Sequence, residues 1–255
     1  MRRIDLNCDL GESYGAWTMG QDEQVLADVS SANIACGFHA GDPDTMRRTV
    51  HLAAARGVAI GAHPSLPDLQ GFGRREMAVS PDEAHALVLY QIGALSAFAT
   101  RSGTRLRHVK PHGALYNMAA RDPALAAAVA SAVAAFDPKL ILVGLAGSAL
   151  LDAGRAAGLA VAAEAFCDRR YRADGSLTPR REAGAVIHDL DAAVAQGLSI
   201  ALRGEAFTAD GSRVAIAADT LCIHGDKPDA AAFAHRLRAE LERAGVAVAA
   251  LGGDA

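Results

Sequence analysis

The stretch Ser31-Ala32-Asn33-Ile34-Ala35-Cys36-Gly37-Phe38-His39-Ala40-Gly41-Asp42-Pro43 decides how the fold of this 255-residue chain is read. Ile34 to Cys36 is an apolar run too short for a helix, and it ends abruptly in small, polar and ionisable residues. Gly37 and Gly41 allow backbone conformations or close approaches that a Cβ would forbid, and Asp42-Pro43 suits the start of a following helix. The stretch reads as a strand with His39 just beyond its carboxyl end. Taken alone, it is equally a strand-to-helix turn whose histidine is merely hydrogen-bonded. Repetition along the chain separates the two readings.

Upstream, Ile4-Asp5-Leu6-Asn7-Cys8-Asp9 alternates apolar and polar residues, which puts Asp5, Asn7 and Asp9 on one face of a strand that finishes in Gly11-Glu12-Ser13. Gln21 to Val29 has a helical pattern. Downstream, Asp44 to Arg56 predicts a helix closed by Gly57, and Val58-Ala59-Ile60-Gly61-Ala62-His63-Pro64-Ser65 repeats the scheme of apolar run, Gly, His and Pro. The Gly-rich loop that follows carries Arg74 and Arg75, suited to an anionic group. Ser80-Pro81-Asp82-Glu83 is a capping-box start for a helix to about Arg101. Leu106 to Lys110 is the next strand, and alternation puts His108, Lys110 and His112 on one face. Asp122-Pro123 starts a helix to about Phe136. Strand Leu140 to Gly144, helix Leu150 to Ala157 and strand Val161 to Ala165 follow, the last with Glu164, Asp168, Arg169, Arg170 and Tyr171 at its tip. Ser176 to Glu182 reads as an excursion over the mouth, Asp189 to Leu202 as a helix, and Phe207 to Ile216 as a hairpin turning at Asp210-Gly211. A final strand, Thr220 to Ile223, ends in His224-Gly225-Asp226-Lys227-Pro228, and Ala230 to Ala244 closes the chain ahead of a short tail.

Seven strands alternating with helices, without a linker or composition break, predict the α/β class and a single TIM-like barrel over residues 1–255, seven-stranded as (β/α)7. A doubly wound open sheet would not bring all seven tips round one mouth. In a parallel barrel the polar tips share the carboxyl-terminal rim, where barrel enzymes keep their sites. The candidate catalytic residues are therefore Asp9, His39, His63, Lys110, His112, Glu164, Asp168 and His224. The candidate substrate-binding residues are Asn7, Arg74, Tyr116, Arg169, Arg170 and Asp226. Asp9, His39 and His63 are the candidate ligands of a divalent metal. A lysine at a strand tip is expected to serve charge stabilisation more than packing.

Half of the residues are apolar and 21% are charged, which is the make-up of a chain with a sizeable core. The net charge of −4 and scattered basic residues give no nucleic-acid surface, so a small molecule is the expected partner. No apolar run approaches the roughly 20 residues needed to span a bilayer, and Met1-Arg2-Arg3-Ile4-Asp5 turns acidic where a signal peptide needs an apolar core. Both point to the cytoplasm and away from a membrane. Cys8, Cys36, Cys167 and Cys222 show no CxxC spacing and read as reduced thiols packed as small apolar groups.

The stretches IDLNCDLGES, SANIACGFHAGDP, IGAHPSLPDLQGFGRR, VKPHGALYN, FCDRRYRADGSLTPR and CIHGDKP, in that order and over nearly the whole length, resemble the LamB/YcsF family. The resemblance implies a seven-stranded β/α barrel similar to polysaccharide deacetylases. It also implies an ATP-dependent 5-oxoprolinase activity, the conversion of 5-oxo-L-proline, ATP and water into L-glutamate, ADP and phosphate, carried out with partner subunits B and C (PxpB and PxpC). The sequence contains no GxxxxGK[ST], and Gly144-Leu145-Ala146-Gly147-Ser148 is only a weak phosphate-loop candidate, so ATP binds in a non-standard way or on a partner. Two rivals stand beside this reading. One is a stand-alone metal-dependent deacylase or deacetylase using Asp9, His39 and His63; the other is a non-catalytic subunit that binds the lactam.

Overall fold

The computed structural model describes residues 2–225 and 229–252. Its strands are β1 (Arg2–Leu10), β2 (Ser31–Ala35), β3 (Ala59–His63), β4 (Leu106–Val109), β5 (Ile141–Leu145), β6 (Ala160–Phe166), β7 (Glu205–Phe207), β8 (Arg213–Ala215), β9 (Thr220–His224) and β10 (Val246–Val248). β1 to β6 pair in sequence order, all parallel, and β9 closes the ring by pairing with both β6 and β1. The seven strands read from the apolar runs are thus the staves of a closed parallel barrel. β7 and β8 form the separate antiparallel hairpin expected at Asp210-Gly211. β10 pairs with the start of β1, Arg2 to Ile4.

Alternation divides the barrel into two media. The outward side chains Ile4, Leu6, Cys8 and Leu10 of β1 are buried in the main apolar core, which lies between strands and helices. The inward ones are polar and meet across the lumen. Asp5 accepts from Ser31 Oγ at 2.7 Å, Asn7 Nδ2 donates to Thr220 Oγ1 at 2.7 Å, and Asn33 Nδ2 donates to Asn7 at 2.7 Å and Asp9 at 2.8 Å. Each such group needs a partner because water cannot reach it. His108 joins the column by its Nε2, 2.7 Å from Asn33 Oδ1, and its ring lies over Gly61, where a Cβ would fall 2.1 Å from that nitrogen.

The helices are α1 (Asp22–Val25), α2 (Pro43–Ala55), α3 (Pro81–Arg101), α4 (Gly113–Arg121), α5 (Pro123–Phe136), α6 (Ala149–Ala156), α7 (Leu190–Arg203) and α8 (Ala230–Arg243). Asp42 caps α2 by accepting from the Asp44 and Thr45 amides, and Ser80 with Glu83 completes the capping box of α3. Two expectations differ from what forms. α1 spans four residues in place of Gln21 to Val29, since the Asp22 carboxylate is tied to the Gly11 amide at 2.9 Å and to Thr49 at 3.1 Å, and the chain must turn at once to enter β2. α4 was not expected, because its N-cap, His112, makes no side-chain capping bond. Among the described residues no single helix is long and apolar enough to cross a membrane.

Candidate active site

At the carboxyl end of the barrel a cleft of about 650 Å³ opens, floored by Asp9 of β1, His63 of β3 and Lys110. Lys110, just past β4, is 2% exposed, and its Nζ lies 2.7 Å from Glu164 Oε1, 2.9 Å from Asp9 Oδ1, 3.1 Å from Asn7 Oδ1 and 3.2 Å from Cys222 Sγ. Burial works against the ammonium, but the Asp9 and Glu164 carboxylates outweigh it and hold Lys110 charged, well above the ordinary lysine value. Tyr116 Oη donates to the second Glu164 oxygen at 2.7 Å. Burial likewise pushes the Asp9 carboxyl up, and His63 and Lys110 overcome it to leave Asp9 well below the carboxylate range. Lys110 is thereby built into the barrel's interior, which corrects the view of it as a strand-tip charge with little structural part.

Beside this lies a histidine cluster. His63 Nδ1 is 2.7 Å from the Lys110 carbonyl and His112 Nε2 is 2.8 Å from the Phe72 carbonyl. A carbonyl oxygen only accepts, so both nitrogens carry the proton and donate. What remains, His63 Nε2 and His112 Nδ1, are two lone pairs 3.0 Å apart. Such a contact calls for a cation between them, a proton or a metal. His39 stacks on His112 at a 3.8 Å centroid separation, with its Nε2 3.2 Å from Glu12 Oε1. Burial, then neighbouring charge from His63 and His112, pushes His39 and His112 well below the ordinary imidazole value. Glu12, His39, His63 and His112 each offer a donor atom within 4.8 Å of the others. Three imidazoles and a carboxylate are the ligand chemistry of a first-row divalent transition ion and not of Mg²⁺. Gly73, at φ +63°, packs against this group so closely that a Cβ would lie 2.9 Å from both His112 and His39.

The outer wall is basic and comes from loops. Arg74 lies over the Phe72 ring, and Arg121 pairs with Glu76 at 2.7 Å. Arg169 follows β6 and is 6% exposed. The excursion over the mouth supplies Pro179, Arg180 and Arg181. His224, at the end of β9, holds its Nδ1 3.0 Å from the Asp168 carboxylate and its Nε2 2.7 Å from Arg180 Nη2.

Of the residues predicted from sequence, Asp9, His63, Lys110, His112, Tyr116, His224, Arg74 and Arg169 line the cleft. His39 and Glu164 are buried behind it, in contact with His112 and Lys110. Asn7 lies beneath, its amide committed to Thr220, Asn33 and Lys110, and Asp168 stands behind His224. Arg170 is outside the lining; its backbone pairs with Ala185 and Thr178. Asp226 lies outside the described residues. The group able to hold a metal contains His39 and His63 but Glu12 and His112 where the sequence suggested Asp9, whose Oδ1 is occupied by Lys110 and Asn33. Sequence reasoning missed Glu12, Arg180 and Arg181. Gly11, at φ +68°, is the signal for Glu12, because it lets the chain fold back beyond β1. The Gly144 to Ser148 segment turns from β5 into α6 and takes no part in the cleft.

Residues 4–254 match the LamB/YcsF family. The chain is 65% identical to the 5-oxoprolinase A subunit of Methylococcus capsulatus, covering 99% of this chain and 97% of that one. Against the 5-oxoprolinase A subunit of Bacillus subtilis the identity is 57%, covering 98% of each. Among solved structures, a lactam utilization protein from Thermus thermophilus superposes with a TM-score of 0.93 at 53% identity, over 98% of this chain and all of that one. A T48 deacetylase at 14% identity shares the fold, with a TM-score of 0.50 over 97% of this chain and 87% of that one. The chain therefore belongs to the LamB/YcsF family.

Proposed function

We propose that this chain is the A subunit of an ATP-dependent 5-oxoprolinase and that its cleft is where the lactam is opened to glutamate, in company with B and C subunits. The observation that carries this reading is the 65% identity, end to end, to the 5-oxoprolinase A subunit of Methylococcus capsulatus. The chemistry of the cleft supports it. A five-membered lactam is a resonance-stabilised amide with a poor leaving nitrogen, so transfer of a phosphoryl group from ATP to its oxygen makes the ring carbon a better electrophile. Water must then be deprotonated beside it. Asp9 Oδ2, 3.4 Å from His63 Nε2 at the cleft floor, pairs a carboxylate with an imidazole for that step. Lys110 helps hold Asp9 ionised and pairs with Glu164, and Tyr116 lines the same floor. The absence of GxxxxGK[ST] from the sequence assigns ATP to a non-standard site or to a partner.

The test measures glutamate and phosphate together, for this chain alone and mixed with B and C subunits. Both products should appear only in the mixture with ATP, and His63→Ala should abolish them. Glutamate formed by the lone chain without ATP would sink the reading in favour of the deacylase.

The second reading keeps a metal, and the facing lone pairs of His63 and His112 favour it. Glu12, His39, His63 and His112 would hold a divalent transition ion, which would supply a Lewis acid next to the cleft. Elemental analysis of protein purified without chelator should find about one equivalent, lost in His63→Ala and His112→Ala together and kept in Asp9→Ala. Loss in Asp9→Ala with retention in His112→Ala alone would return the site to the trio read from sequence.

A further inference from the structure

We infer that Arg169 and Arg180 form an oxyanion seat in the cleft wall that takes a phosphoryl group, and that His224 and Asp168 position Arg180 for it. The inference rests on the oxoprolinase reading for the source of that group but not for the seat itself. Arg169 is nearly buried and faces the cleft. Among the described residues its guanidinium makes one hydrogen bond, from Nη2 to the Thr178 carbonyl at 2.6 Å, and its Nε is buried without a partner. Arg180 donates from Nη2 to a neutral acceptor, His224 Nε2, at 2.7 Å. Among the described residues neither guanidinium has a carboxylate within ion-pair distance. They also oppose each other: burial, then the charge of Arg180, lowers Arg169 to about 10.

A buried donor without a partner and a pair of like charges, neither in ion-pair contact with a carboxylate among the described residues, are both costly, and both are relieved by the same ligand. A carboxylate would cancel one charge and leave the other. A phosphoryl dianion cancels both and has three oxygens for the fork of each guanidinium. Lys110 offers no alternative seat, since Asp9 and Glu164 already neutralise it. The position of Arg180 is set from behind. Asp168 accepts from His224 Nδ1, which fixes the tautomer that turns the Nε2 lone pair to Arg180.

The experiment is calorimetric titration of the full chain, without turnover, with inorganic phosphate and separately with 5-oxoproline. Phosphate affinity should fall about tenfold or more in Arg180→Gln and Arg169→Gln, the scale of one charge-assisted hydrogen bond, while 5-oxoproline affinity stays within about threefold. His224→Gln, which keeps an acceptor for Arg180, should retain phosphate binding, and His224→Leu should lose it as Arg180→Gln does; a merely structural histidine would show no such rescue. Arg180 is exposed, so its variant folds even if Arg169→Gln does not. Equal phosphate affinity in Arg180→Gln and the parent, no phosphate binding by the parent at millimolar concentration, or loss of 5-oxoproline binding in place of phosphate would each overturn the seat. None of these bears on whether the reconstituted mixture makes glutamate, so the two readings fail separately.

Discussion

Lys110 holds the inner half of the site together by standing between two buried carboxylates. Lys110→Met removes the cation and leaves Asp9 and Glu164 uncompensated; breaking a buried pair in this way costs about 3–5 kcal/mol. A urea midpoint unchanged from the parent would refute that. The histidines give a second test, in pH. Burial holds His39 and His112 well below 6.5 and His108 at about 3, so the folded chain refuses protons that an unfolded one takes up. Their contribution is fully present above about pH 6.5 and is lost as the pH falls below it toward the folded values. Asp9 adds to the loss only below 3.8. Melting temperature should therefore drop between about pH 7 and 5, before Asp9 titrates, and His108→Gln should flatten the slope.

At the scale of the elements, Gly61 in β3 exists for the His108 ring of β4. Gly61→Ala drives a methyl into Nε2 and should cost about 1–3 kcal/mol by overpacking, more than the roughly 1 kcal/mol expected for Ser80→Ala at the cap of α3. Equal losses in chemical denaturation would mean that the lumen is looser than its hydrogen bonds indicate. These elements also show what was legible in the sequence. Strand tips were, because Asp9, His39, His63, Lys110 and His224 each interrupt an apolar run, and a parallel barrel gathers such interruptions at one rim. So were α2, α3 and α5, which begin with Asp42-Pro43, Ser80-Pro81 and Asp122-Pro123. α4 was not, as His112 is spent on His63 and Phe72 and gives no capping signal. Arg180 was hidden for a different reason: it reaches the cleft from an excursion without regular structure, and no periodicity marks where such a segment lands.

Across the whole molecule, the ring closes by pairing Asp5 to Asp9 with Thr220 to His224, so neither end of the chain has a complete sheet without the other. We expect residues 1–255 to unfold as one cooperative unit, with far-ultraviolet and near-ultraviolet circular dichroism losing signal at the same denaturant concentration; separated transitions would divide the chain into two units. The same closure governs how the protein is made. On the ribosome β1 is the first strand out, and its partner β9 follows only after more than eight-tenths of the chain has emerged. Until then one edge of the growing sheet is unpaired, and inward-facing Asp5 and Asn7 lack the Thr220 hydroxyl that completes their network. The nascent chain thus carries an open strand edge through most of its synthesis, the interval in which a chaperone has something to hold and an incomplete chain has a surface on which to aggregate.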